Sequence, residues 1–471
     1  MYTFESMISE LLQFNKDGIN LYFSCYQNSL EKSIKIIKSK IDIDLFLFMG
    51  KQYWRTFQKQ IFTENKDVYY ITRDDTSSWL GKHWLHNAWF FYIQEVAASL
   101  PAQFLPIKKW DIVLDMCSAP GWKAVQISDM GWYVVSNEVN SSRIVPLQYN
   151  LNRIWVYNST VTSIQWGTWW NILPNFFDHI LVDAPCSWEW TGFKSDDGFK
   201  RWREENIHKI AHLQKELLSS AIKACKVWGT IVYSTCTINP WENEWVISYA
   251  LDIFWESIEL EHIEINNKSI WITNWEGKQL LSDENAKKVC RFWSHIQETG
   301  WFFIAKIRKN SELKIKNSQL PNTLTSQLDI SSKLQEKISK VLLNDYGIDI
   351  DPTKYFFISS QKQIYLTSPL YLQLHGKIRT EKTWVPIFKW NKDELIPLHW
   401  LGNCLGHLAT KNRLSLPEDV LQKYSEWGDI LVNSEWWIVN NDNKYVVLTY
   451  KDYWISVWKV VDGYIKNKFI K

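Results

Sequence analysis

Glycine is scarce in this chain. There are 17 glycines in 471 residues, where ordinary composition would supply about 7%, or roughly 33. No Cys-x-x-Cys pair occurs among the seven cysteines at 25, 117, 186, 225, 236, 290 and 404, which argues against a zinc ribbon and against a disulfide framework. No metal site is therefore expected, and free thiols fit a reducing compartment. No apolar run approaches the length of a membrane span, and the start, Met-Tyr-Thr-Phe-Glu, has no basic segment leading into an apolar one. A cytoplasmic protein with no membrane partner is the expectation. An excess of charge is missing too: 53 Lys and Arg face 51 Asp and Glu, so contact with nucleic acid must come from local patches.

What fills the gap left by glycine is tryptophan, present 30 times. It stands where turn chemistry calls for glycine: Lys109-Trp110-Asp111 before a strand, Gly121-Trp122-Lys123, Gly131-Trp132, Val227-Trp228-Gly229 and Gly300-Trp301. These are punctuation sites, not core faces. The expectation is that many of these residues are glycine in the organism, the gene having been read with the wrong meaning for UGA. Masses of peptides from the native protein test this, since an indole at 122 and 228 would end it.

Apolar residues make up 46% and charged residues 22%, near the norm for a globular protein, and the length allows two to four domains. Residues 1–80 read as a small α+β unit, with a strand over 20–26, an amphipathic helix over 30–40 and a strand over 68–72. Residues 81–308 read as a catalytic domain. Its first element is a helix over 90–100, closed by Pro101 and Pro106. From Trp110 a strand–helix rhythm predicts a mostly parallel sheet with helices on both faces. Strands are expected at 112–115, 133–137, 154–157, 179–183 and 230–234, an antiparallel edge strand at 302–307, and a helix over 204–226. Residues 309–335 read as a polar linker and 336–471 as a region ending in a small β-rich module, with strands at 445–450, 455–461 and 463–465. No internal repeat is present.

Three signatures carry chemistry, each at a strand end. Val113-Leu-Asp115 runs into Met-Cys-Ser-Ala-Pro-Gly-Trp-Lys123, a strand, loop and helix start that form a nucleotide-type pocket. The next strand ends in Glu138, an acid placed to accept the ribose hydroxyls of an adenosine. With no Gly-x-Gly-x-x-Gly fingerprint, a nicotinamide or flavin is disfavoured, and S-adenosyl-L-methionine suits the pocket better. In Asp183-Ala-Pro-Cys186, Pro185 stiffens a loop able to grip the Watson–Crick edge of a flipped base. In Tyr233-Ser-Thr-Cys236-Thr, a thiol past a strand end can add to carbon 6 of a pyrimidine, which turns the sluggish carbon 5 into an enamine nucleophile. Asp183 at ring nitrogen 3 would spread the developing charge, and Cys186, or a water it orders, is a candidate base for the carbon 5 proton. Taken alone, each cysteine reads as a small packed hydrophobe. Lys194, Lys200, Arg201, Arg203 and Lys209 suit a phosphate backbone, but Asp196, Asp197, Glu204 and Glu205 interleave them, and a solvated surface is an equal reading.

Asp115-Met-Cys-Ser-Ala-Pro-Gly121, Asp183-Ala-Pro-Cys186 and Ser234-Thr-Cys-Thr-Ile-Asn-Pro240 with Glu242-Asn-Glu244 resemble the RNA (cytosine-5) methyltransferases of the Nol/Nop/Sun family. Within it the chain is most similar to the bacterial 16S rRNA enzymes of the RsmF/YebU type. The resemblance covers roughly 80–308; Tyr92-Ile-Gln-Glu95 and Thr299–Ala305 share in it, and Val460–Phe469 resembles the family's PUA-like module. It implies a Rossmann-like methyltransferase core between a ferredoxin- or RRM-like N-terminal domain and a C-terminal RNA-binding region. It also implies Cys236 as nucleophile, Cys186 as the residue of product release and Asp183 as an acid near both base and cofactor. The cofactor site would be lined by Cys117, Ser118, Ala119, Pro120, Gly121, Trp122, Lys123, Glu138, Arg143 and Asp183. The partner is expected to be RNA, within a ribosomal subunit, and the enzyme a monomer. The family has glycine where this chain has Trp122, Trp188, Trp190, Trp228 and Trp301, and its acid after the third strand has no counterpart in Ile164-Gln-Trp-Gly167. A tRNA substrate, a weakly active ribosome-assembly protein and a DNA cytosine methyltransferase are the competing readings.

Overall fold

The computed structural model describes residues 3–13, 18–20, 22, 31–54, 56–72, 80–131, 133–154, 156–187, 203–266, 271–313, 328–360, 362–381, 385–392, 394–425, 430–431, 445–450, 453–461 and 464–465. At its centre is a mixed sheet whose strands we number β1 (Ile112–Asp115), β2 (Tyr133–Asn137), β3 (Ser159–Thr162), β4 (Phe177–Asp183), β5 (Cys225–Thr235), β6 (Ile258–Glu261), β7 (Cys290–Phe292) and β8 (Phe302–Lys309). Their order is β6-β8-β5-β4-β1-β2-β3, with β7 beside β8. The strands from β5 to β3 are parallel, β8 runs antiparallel to β5, and β6 is antiparallel to β8 and so runs with the parallel strands. This is the Rossmann-like α/β core expected from the sequence. Strands buried on both faces appear as unbroken apolar runs, and Ile112–Asp115 and Ile180–Val182 are fully covered. The order reverses at β1, the switch point where such sheets bind ligands.

Helix Glu204–Ala224 covers one face through Ala211, Leu217, Leu218, Ala221 and Ile222, on the stripe its spacing predicts. The opposite face is filled by Val113, Val134, Leu181 and Val232 together with Ala124, Leu147 and Ile304. Two β-rich modules follow the core: an antiparallel sheet, Phe356–Ser360 to Glu394–Pro397, packed by helix Ser332–Tyr346, and a five-stranded sheet running from Arg413–Ser415 to Tyr464–Ile465. The last sheet shares one core with the beginning of the chain, where Leu448, Ile455 and Ile465 meet Ile34, Phe46 and Phe91.

Five expectations are corrected. Residues 33–36 form a strand, Ser33–Ile36, within the stretch expected to be an amphipathic helix. Lys35 is buried there and paired with Asp67 at 2.6 Å. Residues 90–100 hold strand Phe91–Ile93 and one 3-10 turn, Ala97–Ser99; aromatic residues favour a strand, and this one completes the N-terminal sheet against Ser33–Ile36. The third core strand is Ser159–Thr162 and not 154–157, because helix Ser141–Arg153 runs on until Ile154 caps it. β8 is antiparallel as expected, but β6 lies outside it at the edge. Asn20 and Tyr22 are helical where a strand was expected. The remainder of that strand, 314–327 of the expected linker, and the basic stretch 194–201 with Trp188 and Trp190 lie outside the described residues.

Backbone angles bear on the tryptophans. Trp89, Trp110, Trp228 and Trp255 have φ of 60°, 76°, 66° and 33°, a region that bulky L-residues avoid and glycine enters freely. Trp110, Trp228 and Trp255 are 46%, 69% and 73% exposed, so packing does little to offset the strain. Left-handed backbone costs about 1–2 kcal/mol per residue, and the extra unfolded-state freedom of glycine takes back about 0.5–1. Replacing these three with glycine should therefore stabilise the protein by about 2 kcal/mol in total. The gain should appear as a higher denaturant midpoint at unchanged slope; a midpoint that falls would refute the strain argument. Trp301, by contrast, is buried and packs on Phe4 and Tyr22, and Trp132 lies outside the described residues.

Candidate active site

The segments that carry Cys117, Glu138, Asp183 and Cys236 lie at the carboxyl ends of core strands. After Asp115 the chain turns through Cys117–Gly121 into helix Trp122–Asp129. Gly121 has φ of 109°, and a Cβ there would lie 2.9 Å from Leu147, so the loop can rest on helix Ser141–Arg153 only with glycine at this point. Side chains tie it down: Ser118 Oγ donates to Asp115 Oδ2 at 2.8 Å, Arg143 to the Ala119 carbonyl at 2.7 Å, and Asn150 to the Pro120 carbonyl at 2.8 Å. Glu138, just past β2, is buried; its Oε1 accepts the Asn140 N–H at 2.9 Å and its Oε2 lies 3.2 Å from Arg143. Arg143 thus joins the loop to the acid.

β4 ends at Asp183. Its Oδ1 accepts the Ser234 hydroxyl at 2.8 Å, and its Oδ2 lies 2.7 Å from the Lys123 ammonium. The pairing of Lys123 with Asp183 was not visible in the sequence, which suggested only a cofactor-loop lysine. The sulfurs of Cys186 and Cys236 lie 3.0 Å apart, residues 50 positions distant in the chain brought together by the parallel pairing of β4 and β5.

A cavity of about 350 Å³ opens here, lined by Asp115, Cys117, Ser118, Ala119, Pro120, Trp122, Lys123, Arg143, Asp183, Cys236 and Phe302 among others. Of the residues singled out in the sequence, Gly121, Glu138 and Cys186 do not line it; Cys186 stands behind the Cys236 sulfur. Sequence reasoning gave no role to Gln94, Glu95 and Phe302, which also line it. Glu95 accepts from the Thr299 hydroxyl and, at 2.9 Å, from the Gly300 N–H, so the runs around Tyr92 and Thr299 meet at the cavity. The Trp122 indole stacks on Tyr92, with centroids 4.9 Å apart and planes 7° from parallel, and takes up part of one wall.

Burial dominates the electrostatics. It pushes the Asp115 carboxyl up to about 7 against the opposing Ser118 hydrogen bond, with the negative charge of Asp183 adding to the rise. Burial likewise raises the Cys117 thiol well above its usual range, helped by Asp115. Asp115 Oδ1 is buried without a hydrogen-bond partner among the described residues. Such an atom beside a cavity marks a place where a ligand is expected to complete the bonding.

A parallel core whose loop, acid and paired thiols gather at the switch point is consistent with a Rossmann-like methyltransferase fold. Residues 102–308 match the family 16S rRNA methyltransferase RsmB/F. Relatives extend over the whole chain. It is 29% identical to the ribosomal RNA small subunit methyltransferase F of Photobacterium profundum, covering 99% of this chain and 95% of that protein. It is 28% identical to the enzyme of the same name from Vibrio parahaemolyticus, over 86% and 83%. Among solved structures, a methyltransferase homolog protein from Pyrococcus horikoshii is 28% identical with a TM-score of 0.52, covering 64% of this chain and 99% of that one. NSun6 from Pyrococcus horikoshii with SFG shares the fold at 18% identity, with a TM-score of 0.52 over 66% and 99%.

Proposed function

We propose that this protein methylates carbon 5 of a cytosine in 16S ribosomal RNA, in the cytoplasm, with S-adenosyl-L-methionine as methyl donor and a covalent bond between Cys236 and the base. The observation that carries the reading is the pair of sulfurs 3.0 Å apart, with Cys236 lining a cavity that Asp183 and Lys123 also line. The orphaned Asp115 Oδ1 and the loop from Cys117 to Lys123 suit an adenosine-bearing ligand, and the cavity is of a size with small-molecule sites. Glu138, through Arg143, would hold the loop that receives it. Bound there, S-adenosyl-L-methionine would supply an electrophilic methyl group.

The chain's own residues do the rest. The Cys236 thiolate adds to carbon 6 of a flipped cytosine, and the ring electrons move to carbon 5. As negative charge develops on the ring, nitrogen 3 takes a proton from the Asp183 carboxyl at the Watson–Crick edge, Lys123 balances the carboxylate left behind, and the proton returns when the ring is restored. Once carbon 5 carries the methyl group, Cys186 takes the carbon 5 proton, the bond from carbon 6 to the Cys236 sulfur breaks, and the thiolate returns. The test is methylation in vitro of 16S rRNA, of the small ribosomal subunit and of tRNA, read by bisulfite sequencing. One or a few protected cytosines in the 16S rRNA are expected. Protection in tRNA alone would move the substrate, and protection in neither would leave an RNA-binding assembly protein as the better reading.

A further inference from the structure

The three residues Glu242-Asn243-Glu244 begin helix Glu244–Phe254 and are fully buried. Asn243 occupies the N-cap, a position where an asparagine side chain ordinarily accepts from the first turn. Here it makes no capping bond. Its Oδ1 accepts the Thr235 hydroxyl at 2.6 Å, and its amide donates to the Thr237 carbonyl at 3.0 Å. Both residues flanking Cys236 are thus held by one side chain.

Glu242 does the same for the other cysteine. Its Oε2 accepts the backbone N–H of Ser187 at 2.9 Å and the Gln214 side-chain amide at 2.9 Å. That Gln214 nitrogen also donates to the Pro185 carbonyl at 2.9 Å. The peptide groups before and after Cys186 therefore end on one buried Glu–Gln unit. The Glu242 carbonyl accepts the Tyr233 hydroxyl at 2.7 Å, which anchors the unit to β5. A buried carboxylate costs stability unless its bonds are well made, and here they go to the loop that carries a reactive thiol.

We infer that Glu242 with Gln214, and Asn243 beside them, are positioning residues that set the approach of the Cys186 sulfur to the Cys236 sulfur. Glu242 and Gln214 govern release of the product, and Asn243 governs attack on the base. This assignment of steps rests on the reading of Cys236 and Cys186 given above. Loosening the Cys186 loop leaves Cys236 free to form its adduct but misplaces the group that takes the proton. A displacement of about 1 Å at a reacting group lowers a step by about a hundredfold.

The test has two readouts on the full-length protein. In the first, Glu242→Ala and Gln214→Met are incubated with 16S rRNA and S-adenosyl-L-methionine, and protein–RNA adduct is separated from free methylated RNA on denaturing gels. Both variants should accumulate adduct, with release slowed about a hundredfold, and Asn243→Ala should form little adduct. Glu242→Gln, which keeps an acceptor oxygen, should restore release. In the second, RNA-free protein is treated with oxidised dithiothreitol, which is reduced to its dithiol as the Cys186 and Cys236 thiols join in a disulfide. The clamp variants should oxidise about tenfold or more slowly, because a looser loop lowers the effective concentration of one thiol at the other. Equal losses of attack and release, or wild-type oxidation in both Glu242→Ala and Gln214→Met, would overturn the clamp. Cys236→Ala that still forms adduct would instead overturn the assignment of steps, and the oxidation rates would continue to judge the clamp.

Discussion

Cys236→Ala should lose the covalent RNA adduct and methyl transfer together, by on the order of 10⁴-fold or more, while Cys186→Ala should capture RNA in a bond that survives denaturation. The asymmetry follows from position. Cys236 borders the cavity directly, whereas Cys186 reaches it only across a 3.0 Å sulfur contact. A nucleophile must touch the face of the base, and a proton acceptor is needed only after the bond has formed. Without Cys236 carbon 5 stays an unactivated aromatic carbon, and no other described cysteine lining the cavity can take over: Cys117 lies in the cofactor loop and burial holds its thiol well above the usual range. Without Cys186 attack proceeds and elimination stalls. A gel shift with Cys236→Ala and none with Cys186→Ala would exchange the two roles, and no shift with either would remove the covalent route.

The same geometry explains what the sequence could disclose. Parallel strands buried on both faces are apolar runs with a polar residue at the end, so Asp115 and Asp183 marked their own strand termini. The expected strand near Ser159–Thr162 failed because Ser159, Thr160 and Thr162 are polar by type yet buried, their hydroxyls absorbed locally, as in Thr162 to Asn137 at 2.9 Å. The strand at Lys35 was hidden in the same way, a charge buried against Asp67 in a stretch whose spacing reads as an amphipathic helix. The joint core of the N-terminal sheet and the last sheet left no trace, because a shared interior has no local spacing. The pairing of Lys123 with Asp183 and the place of Gln214 were missed for different reasons. The partner of Lys123 is 60 residues away. Gln214 did leave a signal: it stands on the apolar stripe of its helix between Ala211 and Leu218, a polar residue at a core position.

Glu244→Ala should destabilise the protein by about 3–5 kcal/mol, the usual cost of stranding one half of a buried ion pair. Arg291 is buried beside it and donates from Nε and Nη2 to the two carboxylate oxygens at 2.6 and 2.5 Å. With the carboxylate gone, a guanidinium remains in the interior with one strong contact, the Ile238 carbonyl at 2.7 Å. Removing both charges is a different experiment. In Glu244→Leu with Arg291→Met no charge is stranded, and apolar replacement of a buried pair is often neutral or stabilising. What the double variant still lacks is the hydrogen bond from Arg291 to the Ile238 carbonyl, two residues past Cys236, and a hydrogen bond to a charged group contributes about 1.5–3 kcal/mol. The double variant should therefore regain most of the denaturant midpoint lost by Glu244→Ala, yet form adduct more slowly than wild type, because the loop carrying the nucleophile has lost a tether. A double variant that recovers full activity along with its stability would show that the pair only holds the core together. Stability recovered without activity would show that the charge is kept for the loop it aims.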